Sequence, residues 1–151
     1  MNASTPLVMQ ASGVVIGGRA LLIEGPPGSG KSSLALALLD RGAGLIGDDA
    51  VSLSRQGEAV VAAPPPNIAG LIEVRGIGIV TMPLAAPAPV ALILTLGGAA
   101  GERLPQTAPR RDILGLAVPV LAFVPGTLAP AIRAEWALAV HGLASAPRDP
   151  A

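Results

Sequence analysis

Apolar residues in this chain fall in short continuous runs, separated by glycine and proline, and only two stretches carry a helical period. Arg19-Ala20-Leu21-Leu22-Ile23-Glu24 holds four apolar residues without polar alternation. That is the pattern of a strand covered on both faces, and it leads into a glycine-rich turn. In residues 32–41 the period changes: Leu34, Leu38 and Leu39 share one helical face, and Gly42 is placed to cap the C-terminus. Gly44-Leu45-Ile46-Gly47 predicts a second strand, ending at Asp48-Asp49. Val51-Ser52-Leu53 and Ala59-Val60-Val61 flank the polar residues 54–58 and predict a hairpin with a glycine turn. Residues 90–96 and 118–124 predict further strands, and residues 129–143 a closing helix that carries Trp136. Pro64-Pro65-Pro66-Asn67 predicts a stiff loop, and residues 97–109, rich in glycine and proline, a longer one.

A length of 151 residues suits one α/β domain, expected over residues 9–143 with tails at 1–8 and 144–151. About half of the chain is apolar, but Phe123 and Trp136 are its only large rings, so the core must be aliphatic. A formal net charge of zero argues against a nucleic-acid binder, which carries a basic face. The absence of cysteine excludes disulfides and thiolate metal sites, and His141 as the single histidine disfavours zinc. The first residues lack the basic and apolar regions of a signal peptide, so a cytoplasmic location is expected. Residues 113–132 are uncharged and long enough to span a bilayer, yet Pro119, Pro125 and Pro130 interrupt them. Because proline removes a backbone donor and breaks helices, they read as soluble core and no membrane partner is expected.

The strongest chemical signal is Gly25, Pro26, Pro27, Gly28, Ser29, Gly30, Lys31 and Ser32, which fits G-x-x-x-x-G-K-[ST] at every position. It also lies between a predicted strand and a predicted helix, as a phosphate-binding loop must. Glycines let backbone N–H groups turn inward around phosphate oxygens, and the following helix points its N-terminal dipole at the same anion. Lys31 is the one lysine beside nine arginines and supplies a compact cation for the β- and γ-phosphates. The Ser32 hydroxyl is suited to Mg²⁺. ATP with Mg²⁺ is therefore the expected ligand, although such a loop serves many reactions.

Asp48 and Asp49 follow the second strand, where a carboxylate commonly gives Mg²⁺ a further anchor. Adjacent strand residues point to opposite faces, so one carboxylate would face the metal and the other an incoming hydroxyl. Without the loop, a solvated Asp-Asp turn would be the better reading. In residues 71–79, Glu73 and Arg75 share one side of an extended segment flanked by glycines. Taken alone they read as a surface ion pair at a strand edge. Arg103 beside Glu102 is a candidate transition-state cation or an exposed arginine.

In order along the chain, GPPGSGKS at 25–32, LIGDDAV at 45–51, LIEVRGIGIV at 71–80, ERL at 102–104 and VPVLAFVPG at 118–126 resemble the catalytic domain of bacterial HPr kinase/phosphorylase. The resemblance spans residues 9–143 and points to the short form without the family's N-terminal domain. It implies a single P-loop domain with a mixed sheet, akin to phosphoenolpyruvate carboxykinase. It also implies an ATP- and Mg²⁺-dependent protein serine kinase acting on HPr, the small phosphocarrier of the phosphotransferase system. By position, Lys31 would bind phosphate, and Ser32 and Glu73 would ligate Mg²⁺. Asp49 would take the acceptor serine's proton, or return it in the phosphorolytic direction. Asp48 would support the metal and that base, and Arg103 would stabilise the transferring phosphoryl group. Residues 120–125 would correspond to the segment linked to dephosphorylation. A homo-oligomer is compatible with the family, whose longer members form hexamers.

Three positions depart from the family pattern. Gln10 stands where the family has a catalytic histidine, fifteen residues before the first loop glycine. Glutamine cannot carry a proton at neutral pH, so weakened catalysis is expected. The basic residues of the family's last conserved stretch are absent from residues 123–128, which leaves phosphorolysis open. The family's C-terminal helix, which meets the partner protein, is expected to be truncated. The alternative to an active kinase is a catalytically weakened nucleotide-binding regulatory module. A P-loop kinase for a small metabolite is the third reading.

Overall fold

The computed structural model describes residues 6–66, 70–98 and 106–144. In chain order the elements are β1 (Leu7–Met9), β2 (Ser12–Ile16), β3 (Arg19–Glu24), α1 (Lys31–Asp40), β4 (Gly44–Gly47), β5 (Val51–Gln56), β6 (Ala59–Ala63), β7 (Leu71–Val74), β8 (Gly78–Thr81), β9 (Ala88–Thr95), β10 (Arg110–Ile113), β11 (Leu116–Ala122) and α2 (Pro130–His141). Nine strands join one mixed sheet in the order β1-β5-β6-β9-β3-β2-β4, with β11 on the second half of β9 and β10 outside β11. β3 and β11 run parallel to β9, while the other pairings in this sheet are antiparallel. β7 and β8 form a separate hairpin.

The central strands owe their burial to their composition. In β3, Leu21 and Ile23 join one core cluster while Ala20 and Leu22 join the other, the two-residue period of a strand covered on both sides. β9 follows the same logic around an irregularity, where Ala20 pairs with Val90 but Leu21 pairs with Leu92. α1 and α2 cover one face through Leu34, Ala35, Leu38, Ala134 and Leu138. The other face closes on the curl of the sheet through Ile46, Val51, Leu53, Val60, Ile93 and Val118. The core is aliphatic as expected, with Phe123 as its one buried ring. Trp136 is instead 66% exposed on the outer side of α2, between Ile132 and Val140 at helical spacing.

Both expected helices are present, and Gly42 ends α1 as anticipated. It adopts φ 104°, with its N–H bonded to the Leu39 carbonyl. The uncharged residues 113–132 divide among the end of β10, β11, a connection and the start of α2, and no helix among the described residues is long and apolar enough to cross a membrane. Four strands were not anticipated. β1 begins at Leu7, within the stretch expected as a tail; β2 and β10 were not read as strands; and residues 71–79 are a folded hairpin instead of one extended segment. Arg75 thus lies in the turn while Glu73 lies on β7, and among the described residues no ion pair joins them.

Candidate functional site

The loop joins the C-terminal end of β3 to α1. Three of its glycines hold backbone angles that other residues avoid, with φ 154° at Gly25, 82° at Gly28 and 102° at Gly30. At Gly25 space also decides: a Cβ would lie 2.7 Å from Ser29 Oγ and 2.8 Å from the Leu96 carbonyl oxygen. Gly30 begins α1 without a side-chain cap, and no acid lies in the first turn. The first amides of the helix are therefore open to an anion. The Lys31 ammonium donates a hydrogen bond to the Gly25 carbonyl at 2.5 Å, folded back over the loop.

Asp48 and Asp49 do not continue β4. The strand ends at Gly47, and Asp49 takes a left-handed conformation with φ 69°. Strand alternation therefore does not separate the two carboxylates; a sharp turn directs both into one cavity. Gly47 is required there, because a Cβ would approach the Ala50 carbonyl oxygen to 2.2 Å. Asp48 is the hub of the site. Its Oδ1 accepts hydrogen bonds from Ser32 Oγ at 2.6 Å and Ser12 Oγ at 3.0 Å, and its Oδ2 accepts one from the Glu73 amide at 3.0 Å. A carboxylate offers about four acceptor positions, so three are in use. Asp48 is thereby better placed to orient Ser32 than to wrap a cation itself. Ser32 spends its one proton on Asp48 and keeps its lone pairs for another partner.

These groups surround a cavity of about 510 Å³ lined by Gln10, Gly25, Pro26, Pro27, Gly28, Gly30, Lys31, Ser32, Ser33, Asp48, Asp49, Glu73 and Arg75. The structure thus brings the loop, the acidic pair, Glu73 and Gln10 together from four separate stretches of chain. Ser29 alone of the eight loop residues stands aside; its hydroxyl is buried and bonds to nothing among the described residues. Arg103 lies outside the described residues. A larger groove of about 760 Å³ between α1 and residues 82–85 is mainly apolar and contains none of the loop glycines, so size does not mark the site.

Sequence reasoning missed Ser12 and Ser33, and it left Arg75 as a surface residue. Ser12 could have been noticed as a polar residue at the head of the apolar run Gly13-Val14-Val15-Ile16. A further network sits beneath the loop. Glu24 accepts two bonds from Arg111, each 2.7 Å, and one from Thr95 Oγ1 at 2.6 Å. The Arg111 bonds hold the Glu24 carboxyl below its ordinary pKa against the opposing effect of burial, with Thr95 and the arginine charge adding to them.

Ser32, Asp48 and Glu73 offer a small set of hard oxygens at the cavity wall. That suits Mg²⁺, which binds one or two carboxylates, keeps waters and relies on phosphate for the remainder. The one basic side chain packed against segment 123–128 among the described residues comes from α2 and does not line the cavity. Arg133 donates to the Val124 and Pro125 carbonyls at 3.0 and 3.1 Å and stacks 4.8 Å from the Phe123 ring. Its charge is thereby turned to backbone.

Residues 4–85 match the family HPr Serine kinase C-terminal domain. The HPr kinase/phosphorylase of Bordetella pertussis is 49% identical over 63 residues, which are 41% of this chain and 20% of that protein. The HPr kinase/phosphorylase of Enterococcus faecalis is 50% identical over 64 residues, 42% of this chain and 21% of its own length. The match thus spans about a fifth of these curated relatives. Among solved structures, the Hpr(Ser) kinase/phosphatase from Coxiella burnetii is similar with a TM-score of 0.74 at 28% identity, over 85% of this chain and 87% of that one. The glycine-rich loop, the acidic turn and the hairpin all fall within the matched residues, which make up more than half of the sequence, and the chain belongs to the family of HPr serine kinase C-terminal domains.

Proposed function

We propose that this chain binds ATP with Mg²⁺ and transfers the γ-phosphoryl group to a serine of an HPr-like phosphocarrier protein. The observation that carries this reading is the single cavity in which the loop, the Ser32–Asp48 pair, Asp49 and Glu73 meet. Loop amides and Lys31 bind the phosphates, with Lys31 exchanging its bond to Gly25 for the anion. Ser32 and Glu73 would hold Mg²⁺ with support from Asp48, and the bound ion would neutralise charge on the transferring group. Asp49, exposed at the cavity wall, accepts the proton of the incoming serine hydroxyl. Arg103 completes the charge balance on the phosphoryl group. The reaction needs positioning and neutralisation more than covalent work, and this site is built from oxygens, amides and fixed charges.

A second reading has its own observation. Gln10 lines the cavity, and by sequence position it takes the place of the family's histidine; it can hold a hydrogen bond but not a proton. A nucleotide-binding regulatory module with weakened turnover follows if that proton is essential. Transfer of labelled γ-phosphate from ATP to the organism's HPr-like protein, with a Lys31→Ala control, separates the two. Label on a serine that disappears in the control supports the kinase. Tight ATP binding without label supports the module.

A further inference from the structure

Ser12 is the one polar or charged residue among the described residues that is buried as a whole, at 0% exposure. It opens β2, a strand that pairs with β3 on one side and with β4 on the other. Its hydroxyl lies where the end of β4 turns into the acidic pair. It donates to Asp48 Oδ1 at 3.0 Å and accepts a long bond of 3.5 Å from the Asp49 amide. One hydroxyl thus touches both aspartates. Asp48 Oδ1 is the same oxygen that receives Ser32 Oγ. The two serines, 20 positions apart, fix one carboxylate from opposite elements. A buried hydroxyl is costly unless it is bonded, so this contact is a structural commitment. Gln10, two residues earlier, lines the cavity.

We propose that Ser12 is a positioning residue, whose hydroxyl holds the Asp48 carboxylate in the orientation that directs Ser32 into the nucleotide site and ties the left-handed Asp49 to β2. The inference rests on the reading of this cavity as a Mg²⁺–ATP site. Ser12 lies behind the carboxylate, so it acts on the ligand only through Asp48 and Asp49.

The test compares Ser12→Ala, Ser12→Cys and Ser12→Thr with the parent chain. Cysteine is nearly isosteric but a weak donor, which guards against simple misfolding; threonine keeps the hydroxyl. ATP affinity is measured in chelator and again with Mg²⁺, alongside thermal midpoints and the kcat and KM of transfer. Loss of an outer hydrogen bond to a ligating group costs roughly 10–100-fold in metal affinity or activity. The expected result is unchanged affinity in chelator for the alanine and cysteine variants, a Mg²⁺-dependent gain reduced by that factor, a fall in kcat, and restoration by threonine. Stable alanine or cysteine variants with the full Mg²⁺-dependent gain and kcat would overturn the inference and leave the Mg²⁺–ATP reading intact. A parent chain that shows no Mg²⁺-dependent gain would instead overturn that reading, and the role of Ser12 with it.

Discussion

Glu24, the last residue of β3, is gripped by Arg111 of β10 through two hydrogen bonds of 2.7 Å, directly before the first glycine of the glycine-rich loop. The folded carboxyl titrates lower than the unfolded one. The folded state therefore binds fewer protons, and the pair stabilises fully above the unfolded carboxylate value, about pH 4.3. This contribution disappears as pH falls through the lowered folded value. Arg111 is 42% exposed, so screening limits the effect to roughly 1 kcal/mol. Glu24→Gln should lower stability by that amount at pH 7 and flatten the acid limb of a denaturation profile below about pH 4.3. An unchanged acid limb in the variant would show that the pair is not the titrating contact.

Ser29 and Ser32 are three residues apart in the same loop and should respond in opposite ways. Ser29 Oγ is buried without a partner among the described residues, and its removal relieves a desolvation penalty. Ser29→Ala should equal or exceed the parent in stability and keep ATP affinity within about twofold. Ser32→Ala takes away the donor to Asp48 at 2.6 Å and should lower Mg²⁺-dependent ATP binding by roughly tenfold or more. Equilibrium binding with and without Mg²⁺ decides both.

Gly47→Ala places a methyl 2.2 Å from the Ala50 carbonyl oxygen, so the acidic turn must move. A loss of about 1–3 kcal/mol is expected from the overpacking, together with a drop in transfer rate larger than the drop in ATP affinity. Chemical denaturation and steady-state kinetics measure the two. Parent-like values in both would mean that the turn adapts without consequence.

Gln10→His introduces a proton carrier at a position that already lines the cavity. General acid–base assistance contributes roughly 10²–10⁴-fold, and a gain of at least about tenfold in turnover is expected. The gain should follow the titration of the new imidazole. No gain would sink the idea that residue 10 limits this chain.

The glycine-rich loop and the acidic turn were legible in the sequence because each needs particular residue types at fixed short spacings. Local patterns marked Lys31, Ser32 and the two aspartates, but strand alternation would have sent the aspartates to opposite faces, whereas the left-handed turn at Asp49 brings both to one cavity. Non-local pairing was not legible. Leu7, Val8 and Met9 form a strand only because residues 51–53 lie beside them. Arg110-Arg111-Asp112 reads as a polar loop, yet it pairs with β11 through a turn in which Leu114 and Gly115 both have positive φ. Gly76 serves the turn of the β7–β8 hairpin with φ 81°, which an extended reading of residues 71–79 does not anticipate. Ser12 was missed because its value depends on Asp48, 36 positions away.

The placement of Trp136 has a spectroscopic consequence. It is the only tryptophan and the chain has no tyrosine, so the protein's ultraviolet emission comes from the outer face of α2. In the folded chain this indole is already mostly in water, and unfolding will move its emission little. A surface that settles over Ile132, Trp136 and Val140 will shift the emission to the blue. The chain thus carries an intrinsic reporter that is nearly silent to denaturation and responsive to the covering of one helix.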